Sequence, residues 1–214
     1  MLRALYPLLL LFLTACAELP GQGLFGEASG IGVVEAMTGD PLVFRGNSPF
    51  RVEVGVLVEV RDIVRTGEAD AIRLRLADGS RLALGANAEL VLLEYSNDAP
   101  KQARLSLSQG SMRVLIKDFL RREGSSFVIL SPLARVEPAS GDFWMGDLFA
   151  DDQLDVVLLT PGELEIANAF GRALLMEEKQ GTTVIFGRVP GEPEAWPEEE
   201  IESVLESTRL PEEE

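Results

Sequence analysis

Apolar and polar residues alternate in run after run of this chain, and a period of two is the signature of extended backbone. In "IRLRL" (Ile72 to Leu76), "SRLAL" (Ser80 to Leu84), "ARLSLS" (Ala103 to Ser108) and "SMRVLI" (Ser111 to Ile116), apolar side chains recur at every second position. On a strand such residues share one face, so each run predicts a strand that commits one face to a core. "FVIL", "LDVVLL", "GELEIA" and "TTVIF" are further candidates. Strand centres recur roughly 8–12 residues apart, with turn-forming residues between them, which is the rhythm of an all-β sandwich or solenoid. "VEVGVLVEV" sets Val52, Val54, Val56, Val58 and Val60 on one face and predicts one long strand. "MRVLIKDFLRR" could compete as a helix, but the alternation of Met112, Val114 and Ile116 favours strand. Asp78-Gly79 suits a tight turn between two strands. No linker or charge run divides the region, which predicts one β domain over residues 31–187.

The chain has one cysteine, Cys16, at the end of an apolar stretch. Arg3 supplies a positive start, Leu5 to Leu13 an apolar segment, and Thr14-Ala15 small residues: the layout of a secretory signal peptide. The run from Ala4 to Ala15 holds 12 residues, interrupted by Pro7, against the ~20 needed to span a bilayer as a helix. Leu13-Thr14-Ala15-Cys16 resembles the bacterial lipobox, in which the thiol takes a diacylglycerol and cleavage falls just before it. The expectation is therefore a signal peptide over residues 1–15 and a lipidated Cys16 that begins the mature chain. A flexible tether would follow over residues 16–30. Two or three acyl chains on one residue would hold it on a membrane far more firmly than one. Ala17 stands where an Asp would resemble the inner-membrane retention signal, so the expected place is the outer membrane, facing the periplasm.

Charge narrows the partners. The chain carries a net −16, and a surface of that sign is repelled by phosphate backbones, so nucleic acid is set aside. Ten of the glutamates lie between Glu192 and Glu214. Within this acidic tail, residues 188–214, Pro197 and the acids after it read as a helix start. Ile201, Val204 and Leu205 follow at helical spacing, predicting a short amphipathic helix from about Glu198 to Thr208. With so narrow a stripe and so much like charge, this end is expected to be dispensable for folding.

One stretch is more specific than its periodicity. In "RDIVRTGEADAIRLRLADGSRLALGANAEL", Asp62, Thr66, Gly67, Asp78, Gly79, Ser80, Gly85 and Asn87 follow in the order of a known pattern. It resembles the FecR domain. "LSLSQGSMRV", "FVILSPLARV" and "VVLLTPGELEIANAFG" are similar to later parts of that pattern, extending the resemblance over about Ile31 to Gly187. Arg61 replaces the family's Gly, and "PASGDFWMG" keeps Gly141 and Phe143 but lacks the family's Arg and Thr. Asp62, Thr66 and Asp78 are of the types that close turns through backbone amides. The resemblance implies a twisted β-solenoid or two-layer β-sandwich, and envelope proteins that bind and relay rather than catalyse.

The residues agree with a non-enzyme. There is no His, and no cysteine besides Cys16, so neither a nucleophile–base pair nor a zinc site suggests itself. A carboxylate pair remains conceivable, but the crowded Asp147, Asp151 and Asp152 read as solvated loop acids without EF-hand spacing. No cofactor is expected. The reading is a lipid-anchored envelope binding or scaffold module with a protein or glycan partner. The alternative is a purely structural envelope lipoprotein of an assembly or secretion system. The candidate contact surface is "GDFWMGDLF", Gly141 to Phe149. Alternation with Phe143 in the core turns Trp144 outward, so Trp144, Met145 and Asp147 are the expected partner-binding residues, Trp being common at interfaces.

Overall fold

The computed structural model describes residues 30–117, 123–150 and 152–210. Among the described residues the alternating runs fold as strands that form two nine-stranded sheets sharing one strand. Sheet I runs in the order β4 (Leu57–Val58), β1 (Gly32–Thr38), β6 (Ala71–Leu76), β7 (Arg81–Leu84), β10 (Ser111–Ile116), β12 (Arg135–Gly146), β13 (Gln153–Leu158), β16 (Gln180–Ile185) and β17 (Glu194–Ala195). Sheet II runs β3 (Ser48–Arg51), β2 (Leu42–Arg45), β5 (Ile63–Arg65), β8 (Glu89–Ser96), β9 (Gln102–Gln109), β11 (Ser126–Leu130), β12 again, β14 (Glu163–Asn168) and β15 (Gly171–Leu175). Every pair is antiparallel except β9 with β11. The chain visits the sheets in turn, so the two-layer sandwich is wound as a flattened coil.

Between the layers lies one core. Ile72, Leu74, Leu82, Leu84, Val114, Phe143 and Val156 face it from sheet I, and Val64, Leu90, Leu105, Phe127, Val136 and Ile166 from sheet II. These are the alternate positions that the sequence rhythm marks. Burying large apolar side chains stabilises by about 1.5–3 kcal/mol each. The turns use the expected chemistry. Gly79 has φ +88° between β6 and β7, and Asp78 accepts the Ser80 hydroxyl hydrogen bond beside it. The Thr66 hydroxyl donates to the Gly85 carbonyl at 2.6 Å and accepts from the Ala88 amide at 2.8 Å, tying β5 to the turn before β8. Asp62 is buried, accepting from the Glu59 amide at 2.8 Å and from the Arg45 guanidinium at 2.8 and 3.0 Å.

"VEVGVLVEV" is not one strand. Gly55 takes φ +92°, and the Val56 amide donates back to the Glu53 carbonyl at 3.1 Å. That turn ends β3 at Arg51 and leaves only Leu57–Val58 as β4. Val52 and Val58 reach the core, while Val54 is 59% exposed and Val60 37%. Gly adopts such a φ without the penalty a Cβ brings, so one residue breaks a pattern that the valines alone would make continuous.

The predicted helix is present as α1 (Glu198–Ser207), begun after Pro197. It is not a loose end. Ile201 and Val204 are buried and Leu205 is half-buried, and Trp196, Thr208 and Leu210 on either side are buried as well. The packed structure thus runs past Gly187, and the tail expected to be dispensable supplies a layer of its own.

Two valines test the corrected turn. Val54→Ser should change stability by no more than ~0.5 kcal/mol, whereas Val58→Ala should cost about 1.5–3 kcal/mol, both read from urea unfolding.

Candidate functional site

Strand β12 belongs to both sheets. Arg135 to Ser140 pair with β14 in sheet II, and Gly141 to Gly146 pair with β10 and β13 in sheet I. The change falls at Gly141, whose φ is +106°, a value that disfavours any residue with a Cβ. After the bend, alternation resumes. Phe143 and Met145 point into the core, and Trp144 points to the opposite, outer face of sheet I.

That outer face is covered. Residues 196–210 cross it as a strap, and Trp144 is fully buried beneath it with Val157, Trp196, Ile201 and Val204. The Trp144 indole N–H donates to the Ser207 hydroxyl at 3.1 Å. The strap begins where the Trp196 amide donates to the Lys179 carbonyl at 2.8 Å and its ring lies on Gly181. Beyond the helix Leu210 packs on Ala36, Ala71 and Ala83. The seat is made of small residues because the strap comes so close. A Cβ on Gly85 would stand 2.3 Å from the Ser207 carbonyl oxygen, and one on Gly181 would stand 2.4 Å from the Trp196 indole nitrogen.

The expected contact surface is therefore corrected. The alternation places Trp144 on the outer face, but the strap takes the exposure that an open surface requires, and Met145 is buried in the core. Asp147 is half-buried, its carboxylate accepting from the Gly110 amide at 3.0 Å. The exposed apolar residues of this segment are instead Leu148 (42%) and Phe149 (43%). Phe149 meets Trp196 edge to face, with ring centroids 5.9 Å apart. Cys16 and Asp151 lie outside the described residues.

Beside the strap the outer face is charged. Pairing sets Arg73, Ala83, Arg113 and Trp144 in one row across β6, β7, β10 and β12, and Arg75, Arg81, Leu115 and Asp142 in the next. Arg113 and Asp142 form a two-point pair, with Nε to Oδ1 at 2.9 Å and Nη2 to Oδ2 at 2.5 Å. The bond to Asp142 holds the Arg113 guanidinium above its ordinary pKa, against the effect of burial. Glu35, at an irregularity of β1, meets three arginines: Arg81 at 2.8 Å, Arg73 at 2.9 Å and Arg75 at 3.5 Å. Burial alone would raise the Glu35 pKa, but the Arg81 hydrogen bond and the charges of Arg81, Arg73 and Arg75 outweigh it and hold it below its ordinary 4.5. Among the described residues no group of three or more His, Cys, Asp or Glu could hold a metal ion. No helix among them is long and apolar enough to cross a membrane.

Comparison with known families bears on the turn motifs rather than on the strap. Residues 62–161 match the family described as FecR protein. The match runs from the buried Asp62 to the turn after β13 and bears out the resemblance over a shorter stretch than Ile31 to Gly187. The strap lies outside it. Two crystal structures of a candidate anti-sigma factor from Parabacteroides distasonis ATCC 8503 are also similar. One, at 2.50 Å resolution, has 17% identity and a TM-score of 0.49; the other, at 1.65 Å, has 15% and 0.48. Each comparison covers 58% of this chain and 55% of that protein, so this chain spans about half the length of those relatives. The comparison with curated proteins finds no match.

The arginine rows went unread in the sequence. "IRLRL" shows Arg73 and Arg75 as the polar half of an alternation, with nothing to say that β7 and β10 bring Arg81 and Arg113 alongside.

Two outcomes follow from the covered face. Trp144→Ala should destabilise the protein by about 3–5 kcal/mol, as Phe143→Ala should, in urea unfolding followed by circular dichroism. The second concerns acid. The lowered pKa of Glu35 means that its contribution is complete above its ordinary 4.5 and is lost as pH falls through its lower folded value. Glu35→Gln should therefore flatten the fall of stability below pH 4.5 while lowering stability at neutral pH.

Proposed function

We propose that this chain is a lipid-anchored, non-catalytic regulatory or sensing module of the bacterial envelope that works by engaging a protein partner. The FecR match over residues 62–161 carries the reading, the family being one of envelope proteins that bind and relay. Anchoring is supported by Leu13-Thr14-Ala15-Cys16 at the end of the apolar run. On this reading Cys16 carries the lipid, residues 16–30 are the tether, and the β domain with its strap faces the periplasm from the outer membrane. A protein partner has the edge over a glycan on the family's account. Within the segment 141–149 the contact falls to Asp147, Leu148 and Phe149, the side chains with exposure. Trp144 would join only if the strap lifted, and Met145 belongs to the core between the sheets.

Two measurements test it. Mass spectrometry of the mature protein should find a diacylglyceryl-modified Cys16 at the N-terminus, and Cys16→Ser should move the protein from the membrane to the soluble fraction. An unmodified terminus elsewhere overturns the anchor. Removal of the protein from its host should alter a defined set of transcripts, restored by the native chain but not by Cys16→Ser. An unchanged transcript profile overturns the regulatory role.

A further inference from the structure

A groove of about 330 Å³ opens on the outer face of sheet I, between the charged rows and the C-terminal end of the strap. Arg73, Arg81 and Arg113 line its floor and Arg209 its strap side, with Asp142 as the one carboxylate among the lining residues. In a chain of net charge −16, that concentration of guanidinium groups is out of keeping with the rest of the composition.

Their own carboxylates leave them undersupplied. Arg73, Arg75 and Arg81 share Glu35, Arg113 has Asp142, and Arg209 has Glu206 at 2.7 Å on the exposed end of the helix. Five guanidiniums thus meet three carboxylates. The shortage shows at Arg73, whose buried Nε lies 2.9 Å from Glu35 without hydrogen-bonding geometry and has no other partner. That Nε is covered, but the Arg73 side chain is 24% exposed, so the outer N–H groups of its guanidinium have capacity for a further acceptor.

The remaining walls are apolar. Leu115, 37% exposed, stands between Arg81 and Asp142 in its row, and Leu205 and Leu210 close the strap side. Guanidinium forks match planar or tetrahedral oxyanions through paired N–H donors. We propose that this groove binds a small organic oxyanion, a phosphate or carboxylate head on a short apolar body. The head takes the excess positive charge left where Arg73, Arg75 and Arg81 share the single Glu35, with Arg209 facing it from the strap, and the body lies on Leu115, Leu205 and Leu210. Because Arg209 and Leu210 belong to the strap, an occupant ties strap to sheet, and the bound state is stabilised by mass action. This goes beyond the envelope-module reading and does not rest on it.

Isothermal titration calorimetry of the full chain with phenyl phosphate, phenylacetate, inorganic phosphate and benzyl alcohol tests the groove. One of the two aromatic anions should bind saturably at one site, more weakly as salt rises, and the tighter of them fixes the head group. Inorganic phosphate should bind at least about fivefold more weakly, and benzyl alcohol should not bind. Arg81→Gln and Arg209→Gln should each weaken binding about tenfold or more, as loss of a charge-assisted hydrogen bond implies. Both should leave the fold intact, since Glu35 keeps Arg73 and Arg75 and Arg209 lies at the surface. Arg51→Gln, which alters an exposed pair with Asp40 elsewhere, should change nothing. Absence of saturable binding overturns the proposal, as does equal weakening by Arg51→Gln or indifference to both groove variants. Equal affinity for inorganic phosphate would remove the organic body from it.

Discussion

A strand that serves two sheets has to bend between them, and the rest of this molecule follows from where β12 does so. At Gly141 the chain leaves sheet II and enters sheet I with φ +106°. The residues after the bend then have no choice of face. Phe143 and Met145 close the core, and Trp144 must stand on the outer face. An indole there is a large apolar surface that water would otherwise meet. The strap answers it by laying Trp196, Ile201 and Val204 alongside. Close seating in turn requires bare backbone beneath, at Gly85 and Gly181. One glycine's torsion is thereby linked to the composition of strands far from it in sequence.

Much of the sandwich was legible because a strand's faces are set by a period that a sequence displays directly. The runs around Leu74, Leu82, Leu105 and Val114 each needed only alternation to be read, and each lies in a strand whose apolar half is buried. Where the period misled, the reason was local. Val52 to Val60 alternate without a break, and only the sign of φ at Gly55 decides that the chain turns there. Alternation reports which side a residue takes, but not whether that side is open. So alternation gives Trp144 its face but not its environment. Its cover comes from Ile201 and Val204, more than fifty residues later, and a stripe that narrow does not announce what it meets.

The charged groove was illegible for a similar reason. Pairing between β6, β7 and β10 assembles Arg73, Arg81 and Arg113 from three separate runs. In each run the arginine is simply the polar alternate. Overall charge pointed the other way, since a net −16 describes the surface as a whole and says nothing of one face.

The strap itself is held by opposed forces. Its glutamates repel one another: Glu198, Glu202 and Glu206 stand four residues apart on the helix, a spacing at which like charges destabilise. Nothing basic lies in the last turn to offset them, though Glu198 to Glu200 gain from the positive end of the helix dipole. Lys179 pairs with Glu198 at the near end and Arg209 with Glu206 at the far end, both pairs largely in solvent, where such contacts contribute little. Adhesion therefore rests on Trp196, Ile201, Val204 and Leu210 and on the bond from Trp144 to Ser207. The outer apolar layer is thus held against like-charge repulsion within the helix, and it covers both the indole and one wall of the arginine groove.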